Sequence, residues 1–256
     1  MLRRGGGRSF TPELRSWISA IPARPSSAWL NAADNFVRDM KSANVWDMHD
    51  GINIFWTPDQ ATALVDFKVP TRVSTLVMTP TFTANKGFTG TGTVGEYIDT
   101  GFVPSTMGVA YQQDSASIGT FLNSNIPSNA IPIGTSVGSG AYFVSRNTSN
   151  NLAYRINDVT TVTSAGSTDG SGLTIVSRTG PNATQAYQRG AAFGAAGTNA
   201  STTRPTASIK YLTAGVGASG LFQVGAGFIG AGVNATQAAA LSSIFTRFGQ
   251  AVGAIP

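Results

Sequence analysis

His49 is the single histidine of the chain, and it lies between Asp47 and Asp50. A serine, a histidine and a carboxylate can form a nucleophilic triad, in which the carboxylate orients the imidazole and the imidazole accepts the serine proton. Residues that are one or two positions apart in sequence rarely face each other, however. The spacing therefore predicts a turn or surface histidine after the first helix of the body, and not a catalytic base.

Two carboxylates, Glu96 and Asp99, are the next groups that could do chemistry. Glycoside hydrolysis needs two carboxyl groups that face each other across a cleft, about 5–9 Å apart. Side chains alternate along a strand, so Glu96 and Asp99 are expected on opposite faces of the strand that contains them. Beyond Asp114, the acidic residues are Asp158 and Asp169, which lie in separate predicted turns. We therefore expect no catalytic carboxylate pair and no hydrolase activity.

The sequence offers few ligands for a metal ion or a cofactor. It has no cysteine, and a zinc site normally needs several histidine or cysteine ligands. The turn-forming residues 167–171 could give oxygen atoms to Ca²⁺, but the EF-hand spacing is absent, and both interpretations stay open. The glycine-rich segment 215–232 lacks the Lys-Ser/Thr pair of a phosphate-binding loop. No catalytic residue, cofactor-binding residue or metal ligand is predicted.

The composition differs from that of charged helical proteins. Asp, Glu, Lys and Arg make up 11% of the 256 residues, against about 25% in an average soluble protein. Residues 1–25 hold five arginines and one glutamate, so most of the net charge of +5 lies in this segment. A protein that reads nucleic acid needs a basic stripe on its folded elements, and the body of this chain has none. Nucleic acid is therefore an unlikely partner.

Two domains are predicted: residues 1–25 as a basic N-terminal arm, and residues 26–256 as a β-sandwich with flanking helices. Pro12 suits the first position of a short helix in the arm. The arm is either a solvated tail or a docking segment for a larger assembly, and its large apolar residues favour docking: Phe10, Leu14, Trp17 and Ile18. No signal peptide and no membrane-spanning run is visible, so we expect synthesis in a cytoplasm and no membrane contact.

Two longer helices are predicted from apolar residues that recur at helical spacing. The first covers about residues 27–43, with a serine cap at its start and Asn44 at its end. The second covers about residues 235–248, where Asn234 and Gln237 form a capping box. A strand is expected at residues 52–56. Thr57 and Pro58 then predict the start of a short helix that reaches about Phe67.

Beyond residue 70 the sequence consists of short β-rich runs separated by turn formers. This pattern predicts a mainly β fold, an antiparallel sandwich or barrel, with helices that cover sheet edges or ends. The nine predicted strands are Ser74–Thr79, Tyr97–Phe102, Ser117–Asn123, Ala141–Arg146, Leu152–Ile156, Leu173–Ser177, Thr184–Gln188, Ser208–Thr213 and Leu221–Phe228.

Several segments resemble concanavalin A-like (laminin-G-like) sandwich proteins encoded by tailed bacteriophages. They are Phe82–Gly92, Glu96–Phe102, Ser177–Gly180 with Tyr187–Gly190, and Phe228–Leu241. The resemblance implies a two-sheet jelly-roll sandwich and a place in a virion. Glucanase relatives carry a Glu-x-Asp-x-Glu strand, and metal-dependent lectin relatives carry a run of Asp and Asn ligands. Both patterns are missing, so no functional residue is carried over.

Two functions are predicted from these observations. The first is a non-enzymatic structural protein of a tailed-phage virion (tail, fibre or head-surface decoration) that docks on other virion proteins through residues 1–25, with further copies of itself as possible partners. The alternative is a lectin-like carbohydrate-recognition module for host attachment. It would bind a host surface glycan on exposed aromatic rings, with four tyrosines as candidates: Tyr111, Tyr142, Tyr154 and Tyr187.

Overall fold

A computed structural model of the chain describes residues 9–136, 139–215 and 217–256. The described residues form five α-helices: α1 Pro12–Ala20, α2 Ser27–Ser42, α3 Gln60–Ala63, α4 Pro104–Met107 and α5 Ala235–Ala251. A short 3₁₀ helix spans Trp46–Met48. Among the described residues, no helix is both long and apolar enough to cross a membrane.

The strands form two antiparallel sheets, which confirms the predicted β-sandwich. Their bounds in chain order are β1 His49–Ile54, β2 Thr75–Val77, β3 Thr81–Thr83, β4 Gly87–Thr89, β5 Tyr97–Asp99, β6 Ala116–Leu122, β7 Ile133–Thr135, β8 Gly140–Val144, β9 Asn151–Asp158, β10 Val162–Ala165, β11 Gly172–Gly180, β12 Ala183–Gln188, β13 Ala191–Gly197, β14 Lys210–Tyr211 and β15 Gln223–Gly230. The first sheet has the order β13-β12-β11-β6-β15-β4-β3, and β1 also pairs with β15. The second sheet has the order β10-β9-β8-β7-β14-β5-β2.

Two helices cover the outer face of the first sheet. Helix α2 begins where the Ser26 hydroxyl accepts a bond from the Trp29 amide, 3.2 Å away. Helix α5 begins at the predicted capping box of Asn234 and Gln237. Helix α5 packs on β11, and its Phe245 ring lies 5.9 Å from that of Phe228 in β15. Helix α2 packs on α5, where the Phe36 ring lies 5.1 and 5.0 Å from those of Phe245 and Phe248. The two helices share one buried cluster with the sheet, so they lie on a sheet face and not at its edge or end as predicted; the cluster includes Trp29, Leu241, Phe121, Leu173 and Ile175.

A second hydrophobic core lies between the two sheets. Its residues come from alternate positions of the strands, as period-2 burial requires. The first sheet contributes Ile118, Leu122, Val176 and Val224, and the second contributes Ile98, Ile133, Phe143, Tyr154 and Tyr211. This core fixes which face of the second sheet points away from the sandwich.

The predicted docking segment packs on the chain itself. Leu14 and Trp17 of α1 are both 0% exposed, and the Trp17 ring stacks on that of Trp29 with a centroid distance of 5.3 Å. The Thr11 amide donates to a carboxylate oxygen of Asp34, 2.6 Å away. The apolar residues of the arm therefore complete the helical layer, and they are not free to dock on a partner. Residues 1–8 lie outside the described residues.

The helix predicted to run to Phe67 is much shorter in the structure. Helix α3 spans Gln60–Ala63, and its cap is Asp59, whose carboxylate accepts the Thr62 amide at 2.8 Å. Phe67 is buried against the tryptophans of the helical layer. The residues between Ala63 and Phe67 do not continue the helix, because their contacts with distant parts of the chain outweigh their local preference for helix.

Candidate functional site on the open face of the second sheet

The second sheet has one face that no other element covers in the described part of the chain. The alternate residues of this sheet point into the core between the sheets, and no hydrophobic cluster forms on the opposite side. Side chains there are half-exposed, among them Tyr97, Asp99, Lys210, Tyr142 and Arg155. We call this surface the open face. It is the counterpart of the face that α2 and α5 cover on the first sheet.

Strand register aligns these residues across the open face. In consecutive strands Asp99 pairs with Lys210, Lys210 with Gly134, Gly134 with Tyr142, and Tyr142 with Arg155. Residues in register lie side by side, about 4.8 Å apart from strand to strand. A single row of charged and aromatic groups therefore crosses β5, β14, β7, β8 and β9.

Tyr97 and Lys210 form the first of two cation–aromatic pairs on the open face. The Lys210 ammonium lies 4.6 Å from the centroid of the Tyr97 ring. Among the described residues it makes no ion pair with a carboxylate, although Asp99 is its neighbour in register. The Asp99 carboxylate instead accepts bonds from the Gly101 amide and the Ser208 hydroxyl, at 2.8 and 2.9 Å.

Tyr142 and Arg155 form the second pair. The guanidinium carbon of Arg155 lies 4.8 Å from the centroid of the Tyr142 ring. Its two terminal nitrogens donate to the backbone carbonyls of Ser136 and Val159, at 2.8 and 3.3 Å, so the group is held in place. The Tyr142 hydroxyl hydrogen-bonds the Thr161 hydroxyl at 2.9 Å. This pair presents a positioned ring and a positioned cation together.

Gly134 lies in the middle of the row, between Lys210 and Tyr142. Its φ of +145° is one that L side chains rarely adopt. A Cβ atom at this position would lie 2.3 Å from the carbonyl oxygen of Ala141 and 2.5 Å from the Cβ of Tyr142. No side chain can therefore stand at this position, because Ala141 and Tyr142 already fill the space, and Gly134 is itself buried.

Of the four tyrosines named as sugar platforms, Tyr142 alone is on the open face. Tyr111 and Tyr154 are 0% exposed, and Tyr187 is packed beneath the helical layer. Burial raises the pKa of Tyr111 and of Tyr154, since it disfavours the charged phenolate. Sequence reasoning missed Tyr97, although Tyr97 and Asp99 alternate with the buried Ile98 in a way that could have revealed it.

His49 is a core residue and not the predicted surface residue. It is 2% exposed in β1, and its ring centroid lies 4.5 Å from that of Phe228. Neither ring nitrogen has a hydrogen-bond partner among the described residues. Burial, with a smaller contribution from the charge of Lys68, lowers the pKa of His49 to about 3. A histidine without partners for either nitrogen is not arranged as a catalytic base.

Glu96, directly before β5, and Asp99, at the end of β5, point to opposite sides of the sheet, as the alternation predicted. Glu96 is 1% exposed and accepts bonds from the Thr91 amide, at 2.6 Å, and from the Ser219 hydroxyl. It therefore ties two loops together. Asp99 is on the open face. The arrangement is not that of the facing carboxyl pair that glycoside hydrolysis needs.

Residues 134–138 match the Gly-x-Ser-x-Gly pattern that presents a nucleophilic serine in some hydrolases. That chemistry requires a strand, a sharp turn and a helix. Here the first two residues of the pattern, Gly134 and Thr135, belong to β7, and residues 137–138 lie outside the described residues. β7 pairs with β8 as an antiparallel neighbour, and no helix of the described residues comes between them.

In the turn at residues 167–171, which could offer oxygen atoms to calcium, the carboxylate already has partners within the protein. The Asp169 carboxylate accepts bonds from the Ser171 amide and hydroxyl and pairs with Arg189, 3.0 Å away. Across the described residues, no group of three or more His, Asp or Glu side chains is close enough to hold a metal ion.

Comparison with known proteins identifies the fold. No family model and no curated protein matches the chain. A Trypanosoma rangeli sialidase mutant with trans-sialidase activity superposes with a TM-score of 0.53 and 9% identity, over 86% of this chain and 39% of that one. The binding domain of botulinum neurotoxin serotype D gives 0.55 and 10%, over 77% and 52%. That of serotype G gives 0.54 and 13%, over 77% and 51%.

These likenesses concern the β-sandwich fold alone, because identities of 9–13% carry no functional residues across. The chain spans about two fifths of the sialidase chain and about half of each toxin binding domain.

Proposed function

We propose that the chain is a non-catalytic carbohydrate-recognition module that binds glycans on the open face. The observation that supports this best is the pair of half-exposed tyrosines, Tyr97 and Tyr142, on a sheet face that the fold leaves uncovered. Aromatic rings with one polar end favour sites that are partly apolar and partly wet. The apolar faces of sugar rings and their hydroxyl groups fit such a surface.

The polar groups near the two rings support the same function. Asp99, Ser208 and Thr161 lie next to the rings and supply acceptors and donors for hydroxyl groups. The fold itself recurs in part of a sialidase and in toxin binding domains, so β-sandwiches of this shape occur both in an enzyme and in domains named for binding. The buried Glu96 and the unpartnered His49 favour binding without catalysis.

A glycan array tests this function directly. We expect the wild-type chain to bind at least one class of glycan, and Tyr142→Ala to reduce that binding because it removes a ring from the open face. Leu221→Ala, an exposed apolar residue outside the open face, is the matched control and should bind like the wild type. Absence of binding to every glycan, or a Tyr142→Ala variant that binds at full strength, would contradict the proposal.

We further propose, on the sequence resemblance alone, that this module is a structural component of a tailed-phage virion. Residues 1–8 contain three arginines, and we assign the docking role of the predicted arm to them. Deletion of residues 2–8 should leave the melting temperature unchanged and abolish incorporation into particles. Incorporation of the deleted chain at full copy number would show that these residues do not dock it.

A further inference from the structure

The open face carries the same arrangement twice. Tyr97 with Lys210, and Tyr142 with Arg155, each combine a half-exposed ring with a cation within 5 Å of its centroid. Strands β5 and β8 are three positions apart in the sheet, so the two rings project from strands about 14 Å apart. Such a spacing suits a chain of sugars better than a single one.

The two cations are not neutralised by the protein. In the described part of the chain, neither Lys210 nor Arg155 forms an ion pair with a carboxylate. The described residues also give the Lys210 ammonium no hydrogen bond, and it lies over the ring of Tyr97. Each terminal nitrogen of Arg155 donates one bond to a backbone carbonyl and keeps a second N–H. Both groups can therefore donate to an anion.

Asp99 is the acidic side chain of the row. Its negative charge repels an anion that approaches Lys210 from the Asp99 side. Its carboxylate is held by the Gly101 amide and the Ser208 hydroxyl. Lys210 leans along the strand toward Tyr97 and Gly215, whose added Cβ would lie 2.7 Å from the ammonium. A ligand anion is therefore expected near Lys210 on the Tyr97 side, and a second one near Arg155.

The geometry points to a linear acidic polysaccharide, one that carries carboxylate groups on its sugar rings, as the ligand of the open face; this inference rests on the proposed function. We propose that one sugar lies against Tyr97 with its carboxylate at Lys210, and that another lies against Tyr142 with its carboxylate at Arg155. Charge-assisted bonds of this kind are stronger than neutral ones.

The test compares acidic polymers with their own neutral derivatives. Alginate, polygalacturonate, hyaluronate and polysialate are each measured before and after chemical reduction of their carboxylates to alcohols. At least one acidic polymer should bind about tenfold more tightly than its reduced form. Lys210→Met should weaken binding of that polymer by about tenfold and leave binding of the reduced form within about twofold.

Control variants separate failure of the inference from failure of the proposed function. Arg24→Met removes the same charge from an exposed site between α1 and α2, and it should bind like the wild type. If reduced and acidic polymers bind equally while Tyr142→Ala still loses binding, the proposed function stands and the acidic ligand is wrong. Binding of single-stranded DNA as tight as that of the acidic polymer would also overturn the inference. If no polysaccharide binds, both proposals fail.

Discussion

Replacement of His49 by a residue that does not titrate should make the protein resistant to mild acid. In the structure the imidazole is buried against Phe228, and neither of its nitrogens finds a hydrogen-bond partner in the described part of the chain. Lys68 is the charged group that acts on it and further disfavours its protonation. The folded chain therefore holds His49 neutral far below the pH at which a free histidine takes up a proton.

The magnitude follows from the two pKa values. In the unfolded chain His49 binds a proton near its ordinary pKa of 6.5, whereas burial lowers the pKa in the folded chain to about 3. Between these values the unfolded state binds more protons, so the free energy of unfolding falls as the pH falls. From pH 7 to pH 4.5 the loss that is due to His49 amounts to about 2.5 kcal/mol.

The assay is urea denaturation of the wild type and of His49→Phe at pH 7 and pH 4.5. From pH 7 to pH 4.5 the free energy of unfolding of the wild type should fall by about 2.5 kcal/mol more than that of the variant. Carboxylates such as Asp66 titrate in both proteins, so their effects cancel in the difference. His49→Gln packs differently but does not titrate either, and it should show the same pH effect. Parallel pH profiles for wild type and variants would refute the buried, neutral state of His49.

Three further substitutions test the packing. Trp17→Ala should cost about 3–5 kcal/mol because the ring is fully buried, whereas Arg15→Ala on the exposed side of α1 should cost less than about 0.5 kcal/mol; equal values would contradict the packed arm. Arg178→Met should lower the free energy of unfolding by about 3–5 kcal/mol, because it leaves the buried carboxylate of Asp158, 3.3 Å from the guanidinium, without its partner. An unchanged free energy of unfolding would contradict that ion pair. Gly134→Ala should lower the melting temperature, because its Cβ would clash with Ala141, whereas Gly180→Ala, whose added Cβ would lie 3.6 Å from its nearest neighbour, should not; equal melting temperatures would contradict the close packing at Gly134.

Local sequence signals predicted the two long helices well. The Ser26 hydroxyl and the Asn234–Gln237 box hold the amides that each helix leaves free at its start, as their spacing requires. Asn44 adopts a φ of +55° just after α2, the conformation that its type tolerates. Each of the nine predicted strand segments contains a strand. These features depend on contacts within a few residues, which a sequence displays directly.

Features that depend on distant contacts were not predictable in the same way. Tyr142 and Tyr154 both lie in short alternating strands, yet one faces solvent and the other the core, because the inner face is set by which strands oppose it. Trp17 is buried because α2 and Val65 lie beside it, and nothing within residues 1–25 shows this. His49 is buried because β1 pairs with β15, nearly 180 residues later in the chain.

The measurement that tests the central claim most directly is a backbone amide shift map of the ¹⁵N-labelled chain during titration with an acidic polysaccharide that binds it. The open face predicts that the largest shifts fall on Tyr97, Lys210, Tyr142 and Arg155, with none on α2 and α5. Shifts that are confined to the helical layer, with the amides of the open face unchanged, would contradict the account.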